Sequence, residues 1–285
     1  MALGRRRALG NEAVGRLERD EVPREVVGDP FQALLHRKGV LGRDHALTGA
    51  VGFMALAPVL HHAVAGVPVA PVPLGVGGVV AAAFALLPDI DEPGSTFSRK
   101  LGPISRAVSK VTNRLAGGHR QATHSILFAV AVFLLVRLAE PHPFVDAVVV
   151  GCSILLVLRM LLPKQFGYVG LVGPLMVGLA GLSSWWVFSH TTAGWLPLAA
   201  AGGVLLHIVG DTITVEGVPW LWAPFVRPLQ RLRLTVPLIG HTGSTRESVI
   251  GSALGLCVLY CAAAGIVIPL VHTHFPAVQL PRLPV

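Results

Sequence analysis

Residues 195–211 read WLPLAAAGGVLLHIVGD, an apolar, small-residue run that ends on a histidine and, four positions later, an aspartate. A helix over this stretch projects His207 and Asp211 from one face, so an imidazole nitrogen and a carboxylate oxygen can share one cation. Alone, such a pair is more often a simple hydrogen bond. Its meaning depends on whether the rest of the chain brings further ligands to the same place.

The rest of the chain is built in the same way. Of its 285 residues 53% are hydrophobic and 13% charged, against about 25% charged in a soluble domain. Runs approaching the roughly 20 apolar residues that a bilayer core of about 30 Å requires are expected near 46–64, 72–88, 124–139, 145–162, 168–189, 195–210 and 249–271. The expected fold is therefore all-α, a polytopic transmembrane helical bundle of about seven spans. The expected division is a basic N-terminal arm over 1–43, a membrane-embedded domain over 44–275 and a Pro-rich tail over 276–285. The arm carries no apolar segment followed by small residues of the kind that marks a cleaved signal. It reads equally as an amphipathic helix at an anionic leaflet or as a solvated tail. Cys152, Cys257 and Cys261 all fall inside apolar runs, which points away from a disulfide framework or a thiolate zinc site.

A net charge of +8 could signal nucleic acid, but its distribution says otherwise: 21 of 23 Lys and Arg fall on one side of the seven-span arrangement. By the positive-inside rule that side, which includes the N-terminus, is expected to be cytoplasmic.

Four polar islands interrupt the apolar chain: Asp44-His45, Leu87-Pro88-Asp89-Ile90-Asp91-Glu92-Pro93, Gly118-His119-Arg120-Gln121-Ala122-Thr123-His124-Ser125, and His207 to Asp211. Because spans alternate in direction, the start of span one, the end of span two, the start of span three and the end of span six share one face, the basic one. Ionisable groups at span ends are costly unless they have partners. Asp89 and Asp91 between prolines would repel each other unless a divalent cation lay between them, the arrangement of two-metal hydrolytic sites. Arg120 can hold an anion, and Thr123 and Ser125 can cap or support. His61, His62, His142, His190, His272 and His274 are expected on the opposite side. Residues 211–248 add Trp220 to Phe225, which reads as an interfacial belt, and a stretch from His241 to Glu247. There Gly243, Ser244 and Arg246 can cradle an anion while Glu247 ligates metal or orients Arg246.

Taken together, these islands resemble the YdjM-like, LexA-regulated inner-membrane proteins, described as metal-dependent hydrolases. The resemblance runs from His45 to about Glu247. It rests on His45-x-x-x-Gly49, Leu87-Pro88-Asp89-Ile90-Asp91, His119-Arg120-x-x-Thr123-His124-Ser125, His207-x-x-x-Asp211-x-x-Thr214-x-x-Gly217 and Thr242-Gly243-Ser244-x-x-Glu247. One position departs from the pattern, since Gln121 stands where the family usually has Gly after the His-Arg pair. The family's likeness to zinc-dependent phospholipases C and single-strand-specific zinc nucleases implies phosphoester hydrolysis by metal-activated water.

The expectation is thus a metal-dependent hydrolase. One or more divalent ions, Zn²⁺ foremost, would be bound among His45, Asp89, Asp91, His119, His124, His207 and Asp211. Asp89 or Asp91 would bridge ions or accept a proton, and Arg120 or Arg246 would steady phosphoryl charge. Phospholipid or other phosphoesters at the inner leaflet fit the location. The competing expectations are a membrane transporter, which predicts ionisable groups near the bilayer midplane, and a metal-stabilised membrane organiser without catalysis.

Overall fold

The computed structural model describes residues 40–65, 67–68, 70–100, 103–140, 142–161, 172–190, 194–221, 228, 231–238 and 244–275. The N-terminal arm before Val40, the tail from Pro276 and the stretch Trp222 to Phe225 lie outside the described residues. The chain runs as α1 (Val40–Leu60), α2 (Pro71–Phe84), a 3₁₀ turn (Pro88–Asp91), α3 (Thr96–Lys100), α4 (Pro103–Ala116), a second 3₁₀ turn (Ala122–His124), α5 (Ile126–Ala139), α6 (Pro143–Leu161), α7 (Val172–His190), α8 (Leu196–Thr212), α9 (Thr245–Ala262), a π-helical turn (Ala263–Val267) and α10 (Ile268–His274). Among the described residues the fold is helical throughout, with one isolated β-bridge, Val218 to Leu234.

A helix occupies each of the seven expected apolar segments. Three stretches are by themselves long and apolar enough to cross a bilayer: Pro71–Asp91, Phe144–Leu161 and Val249–His274. The apolar helices Ile126–Ala139 and Leu196–Thr212 are shorter. The third segment starts at Ile126 rather than residue 124 because Ser125 is extended and caps it, its side chain accepting from the Phe128 N–H at 3.4 Å. His124 therefore stands outside the helix, in the preceding turn.

Small residues set the packing around α2. Its sequence PVPLGVGGVVAAAF presents almost no bulk on its packed faces, and it lies against α1, α6 and α8. A Cβ added at Gly203 of α8 would sit 2.3 Å from the Ala81 carbonyl oxygen, and one at Gly49 of α1 would sit 2.6 Å from the same atom. Only glycine permits this approach, the small-residue packing through which membrane helices draw their backbones together. Both α2 and α8 run toward the same end of the molecule, so the residues one turn beyond Ala81 and Gly203, Ala85 and His207, meet in register.

Candidate metal centre

The meeting of Ala85 and His207 begins the site. His207 Nδ1 lies 2.6 Å from the Ala85 carbonyl oxygen. A carbonyl can only accept, so Nδ1 carries the hydrogen and Nε2 of the neutral ring keeps its lone pair. The same logic holds for His124. Thr123 Oγ1 donates its one hydrogen to Asp91 Oδ2 at 2.5 Å and lies 3.0 Å from His124 Nδ1, so the imidazole must donate to it. Both Nε2 lone pairs then face each other at 3.1 Å. Two lone pairs at that distance repel unless a cation stands between them.

Without a metal that cation is a proton. Burial alone would lower the pKa of His124, but the carboxylates of Asp89 and Asp91, with the charge of Asp211, outweigh it and raise the value to about 9. At neutral pH His124 is thus an imidazolium whose Nε2 donates to His207. A metal ion entering here must displace that proton.

Carboxylates close around this pair. Asp211 Oδ2 is 3.4 Å from both His124 Nε2 and His207 Nε2, and Asp89 Oδ1 is 3.7 and 3.8 Å from them. His45 stacks on His207 with ring centroids 4.0 Å apart and approaches Asp211 Oδ1 at 3.6 Å. The ligand atoms form three overlapping groups, His45/Asp89/His207, Asp89/His119/His124 and His124/His207/Asp211, each within 4.8 Å of one another. The most telling atom is Asp211 Oδ2, which is buried and accepts no hydrogen bond. A buried carboxylate oxygen left unbonded is strongly unfavourable, and this one points at the two facing Nε2 atoms. The donor set fits a divalent cation of the zinc type, which takes imidazole nitrogen and carboxylate oxygen.

Asp91 is placed differently from Asp89. It is fully buried, and its oxygens contact His119 Nδ1 at 2.7 Å, the Arg120 backbone N–H at 3.2 Å, the Thr123 hydroxyl and His124 Nδ1 at 3.4 Å. It joins none of the three groups of ligand atoms. Its carboxylate holds the back of two histidines and so turns their Nε2 atoms forward, the carboxylate–histidine pairing usual behind metal ligands. Asn113 in turn donates to the Asp91 carbonyl oxygen at 2.6 Å.

The loop between α4 and α5 delivers His119 and Arg120. Gly117 and Gly118 have φ of +84° and +110°, and the Gly118 N–H returns to the Asn113 carbonyl oxygen at 2.9 Å, a glycine-closed helix end. Arg120 itself is left-handed at φ +57°, while Gln121, the position that departs from the resemblance's pattern, has a negative φ of −116°. Arg120 is buried and bonds Asp211 Oδ1 at 3.0 Å, Thr214 Oγ1 at 3.2 Å and Glu216 Oε2 at 2.6 Å. Thr214 and Glu216 arrive on the segment after α8, which is fastened by Thr235 Oγ1 to the Thr214 carbonyl oxygen at 2.6 Å and by Trp220 Nε1 to Thr212 Oγ1 at 2.7 Å.

The structure therefore brings together His45, Asp89, His119, His124, His207 and Asp211, with Asp91 and Arg120 directly behind or beside them. Arg246 is exposed at the start of α9, and the side chain of Glu247, like His241, Thr242 and Gly243, lies outside the described residues. Glu216 is the functional neighbour that sequence reading missed, and the acidic residue five positions after Asp211 was its only signal. At the far end of α5, Glu140 pairs with Arg137, and Asp146 is buried on α6. Neither acidic residue, nor His61, His62, His142, His272 or His274, enters a group with metal-ligand spacing among the described residues.

The family model of the YdjM inner membrane protein matches residues 40–271. The chain belongs to that family. The match covers every element of the cluster, from His45 on α1 to Asp211 on α8 and on to α9. No curated protein and no solved structure matches the chain. The chain is thus a membrane protein in which the polar residues of the four islands converge on one cluster.

Proposed function

We propose that the chain is a metal-dependent hydrolase of the inner membrane that cleaves a phosphoester, lipid-like in kind, at the cytoplasmic leaflet. The observation that carries this reading is the convergence of His124 Nε2, His207 Nε2 and the unbonded Asp211 Oδ2 in one buried pocket. His124, His207 and Asp211 would hold the ion, with Asp89, His45 and His119 completing one or more sites. Zn²⁺ or a similar divalent ion supplies Lewis acidity when bound, neutralising the carboxylates and lowering the pKa of water toward about 7.

The chain's own residues provide the rest. His119 and Asp89 keep 35% and 18% of their side-chain surface exposed while His124, His207 and Asp211 are sealed. One side of the cluster is therefore open to substrate and water, as catalytic metal sites are and structural ones are not. Asp89, on that open side, is placed to accept a proton. Arg120 offers N–H donors beside Asp211, and its half-exposed partner Glu216 is the anion a phosphoryl group would replace. The cytoplasmic assignment is supported by the Lys and Arg distribution, 21 of 23 on the side of the cluster when the chain is read as seven spans.

Elemental analysis of purified protein, wild type against His207→Ala and His124→Ala, tests the metal. Stoichiometric zinc or manganese that is lost in the variants is expected, and a folded wild type that takes up no divalent metal refutes the reading. Phosphodiesterase assays with Asp89→Ala then test hydrolysis. Metal without turnover across a broad phosphoester panel favours instead the membrane organiser, in which the ion ties helix ends together.

A further inference from the structure

Helix α4 divides its surface into three sectors. At about 100° per residue, Ile104, Val108, Val111 and Leu115 fall within one arc of about 60°, and all four are exposed, Ile104 to 77% and Leu115 to 80%. Ser105, Ser109 and Ala116 form a second sector, buried against the protein. Arg106, Lys110 and Arg114 make the third, exposed and spread from about 90° to about 170° from the middle of the apolar stripe. The packing sector is unusual because two of its three residues present hydroxyls rather than hydrocarbon. Ser105 Oγ donates to the Ser98 carbonyl oxygen at 2.7 Å, Ser98 Oγ lies 3.3 Å from Ser109 Oγ, and Ser98 Oγ donates to the Glu92 carbonyl oxygen at 2.6 Å. The largest apolar side chains of the helix thus all point away from the protein.

We infer that α4 lies in the plane of the membrane interface, with its apolar stripe among the acyl chains and Arg106, Lys110 and Arg114 on anionic headgroups. The chain belongs to an inner-membrane family, so a bilayer is present, and α4 joins elements at the end of the bundle where the polar cluster sits. A helix that carries an apolar face and a cationic flank is the form that settles in the headgroup boundary, its apolar face about 5–10 Å deep. The charge complementarity points to an anionic lipid surface, which can take the apolar stripe and the long cationic side chains beside it at one interface. The consequence reaches the cluster through the bond from Asn113 on α4 to the backbone of Asp91 and through Gly117 and Gly118, which lead directly to His119. Seating α4 on the leaflet fixes the open side of the cluster at headgroup depth. This inference rests on the helix and the bilayer alone and stands whether or not the cluster is hydrolytic.

The test uses the full chain in nanodiscs, with photo-leucine at Leu115 or at Ile104 and the products read by mass spectrometry. Both positions are open enough for the replacement to leave the fold intact. Lipid adducts are expected in discs containing phosphatidylglycerol, with fewer in pure phosphatidylcholine. The combined Arg106→Gln, Lys110→Gln and Arg114→Gln variant should weaken the docking equilibrium by up to about fivefold per cation removed. Adducts to a second copy of the chain would make the stripe a protein interface and overturn the inference. So would reaction with water alone, or lipid adducts indifferent to lipid charge and to the three substitutions. Metal content is unaffected in every case, so failure here is distinguishable from failure of the hydrolase reading.

Discussion

Replacing Asp91 by asparagine separates a ligand from a support. The buried carboxylate accepts from His119 Nδ1, from the Arg120 backbone N–H and from Thr123 Oγ1, and it faces His124 Nδ1 at 3.4 Å. An asparagine of the same shape offers one oxygen and one NH₂ group. If the NH₂ replaces Oδ1 it meets the His119 N–H; if it replaces Oδ2 it meets the Arg120 N–H and the His124 N–H. In the first orientation His119 must change tautomer to accept, in the second a donor faces a donor, and in both, charge-assisted bonds worth about 1.5–3 kcal/mol each are lost. Losing one outright and weakening the rest amounts to about 3 kcal/mol, a drop of roughly 6–12 °C in the unfolding midpoint for a chain of this size. Under the proposed function, the imidazoles behind which Asp91 stands would lose their orientation, and divalent-metal affinity should fall by about 10–100-fold without vanishing. Asp211→Asn removes an oxygen from the ligand group itself and should abolish stoichiometric binding. Thermal unfolding in detergent and calorimetric zinc titration of the metal-stripped protein measure both effects. An Asp91→Asn protein with unchanged midpoint and unchanged zinc affinity would refute the supporting role, and one that loses metal as completely as Asp211→Asn would return Asp91 to the ligands.

Gly203→Ala must push the Ala81 carbonyl oxygen away from its 2.3 Å approach by about 1 Å, a strain of about 1–3 kcal/mol; a lowered unfolding midpoint is expected, and an unshifted one would mean that α2 and α8 do not pack this closely. The proton on His124 stabilises the metal-free fold, because its folded pKa of about 9 exceeds the ordinary 6.5 of histidine: that stability is complete below about pH 6.5 and lost as pH rises through about 9. The unfolding midpoint of stripped protein should fall across that window, and a midpoint that rises there contradicts the assignment. Zinc binding at neutral pH should release about one proton from this pair, detectable as heat that scales with buffer ionisation enthalpy; binding without release argues against displacement. Under the proposed function, Glu216→Gln frees Arg120 and should tighten inorganic phosphate binding to the metal-loaded protein by about 1.5- to 5-fold, the range of a partly exposed ion pair; weaker binding would show that Glu216 supports the site rather than competes for it.

The helices and the convergence of the islands were legible in the sequence because both follow from simple periods. Apolar runs give the segments, alternating direction gives the shared end, and the i,i+4 spacing gives His207 and Asp211 one face. The division of labour between Asp89 and Asp91 was not legible. In a 3₁₀ turn successive residues are about 120° apart, so two aspartates separated by one residue cannot face the same way, but nothing in Pro-Asp-Ile-Asp announces that turn. Glu216 was hidden for a different reason: it reaches Arg120 from irregular backbone 96 positions away, where spacing carries no geometry. The amphipathy of α4 was present in Ile104, Val108, Val111 and Leu115, yet the segment passes for a connection when only bilayer-length runs are sought. At Gln121 the family pattern marks a loop of special backbone, and the left-handed residue is Arg120 instead.

The formal charges of the cluster give a reason for a metal that is independent of ligand spacing. Three carboxylates, Asp89, Asp91 and Asp211, meet one guanidinium, Arg120, and one imidazolium, His124, leaving one negative charge in a place where charge is poorly solvated. Glu216 adds to that excess only from half-exposed ground. A monovalent cation in place of the shared proton would leave the balance unchanged, whereas a divalent one brings it to zero. It would also give Asp211 Oδ2 a partner and remove the repulsion between two facing Nε2 lone pairs. The same backbone approach that packs Gly203 onto Ala81 sets His207 on the Ala85 carbonyl one turn later and so fixes which nitrogen faces inward. Helix packing in the bilayer and the chemistry of the cluster therefore rest on one contact, and a substitution that loosens it should be felt in both.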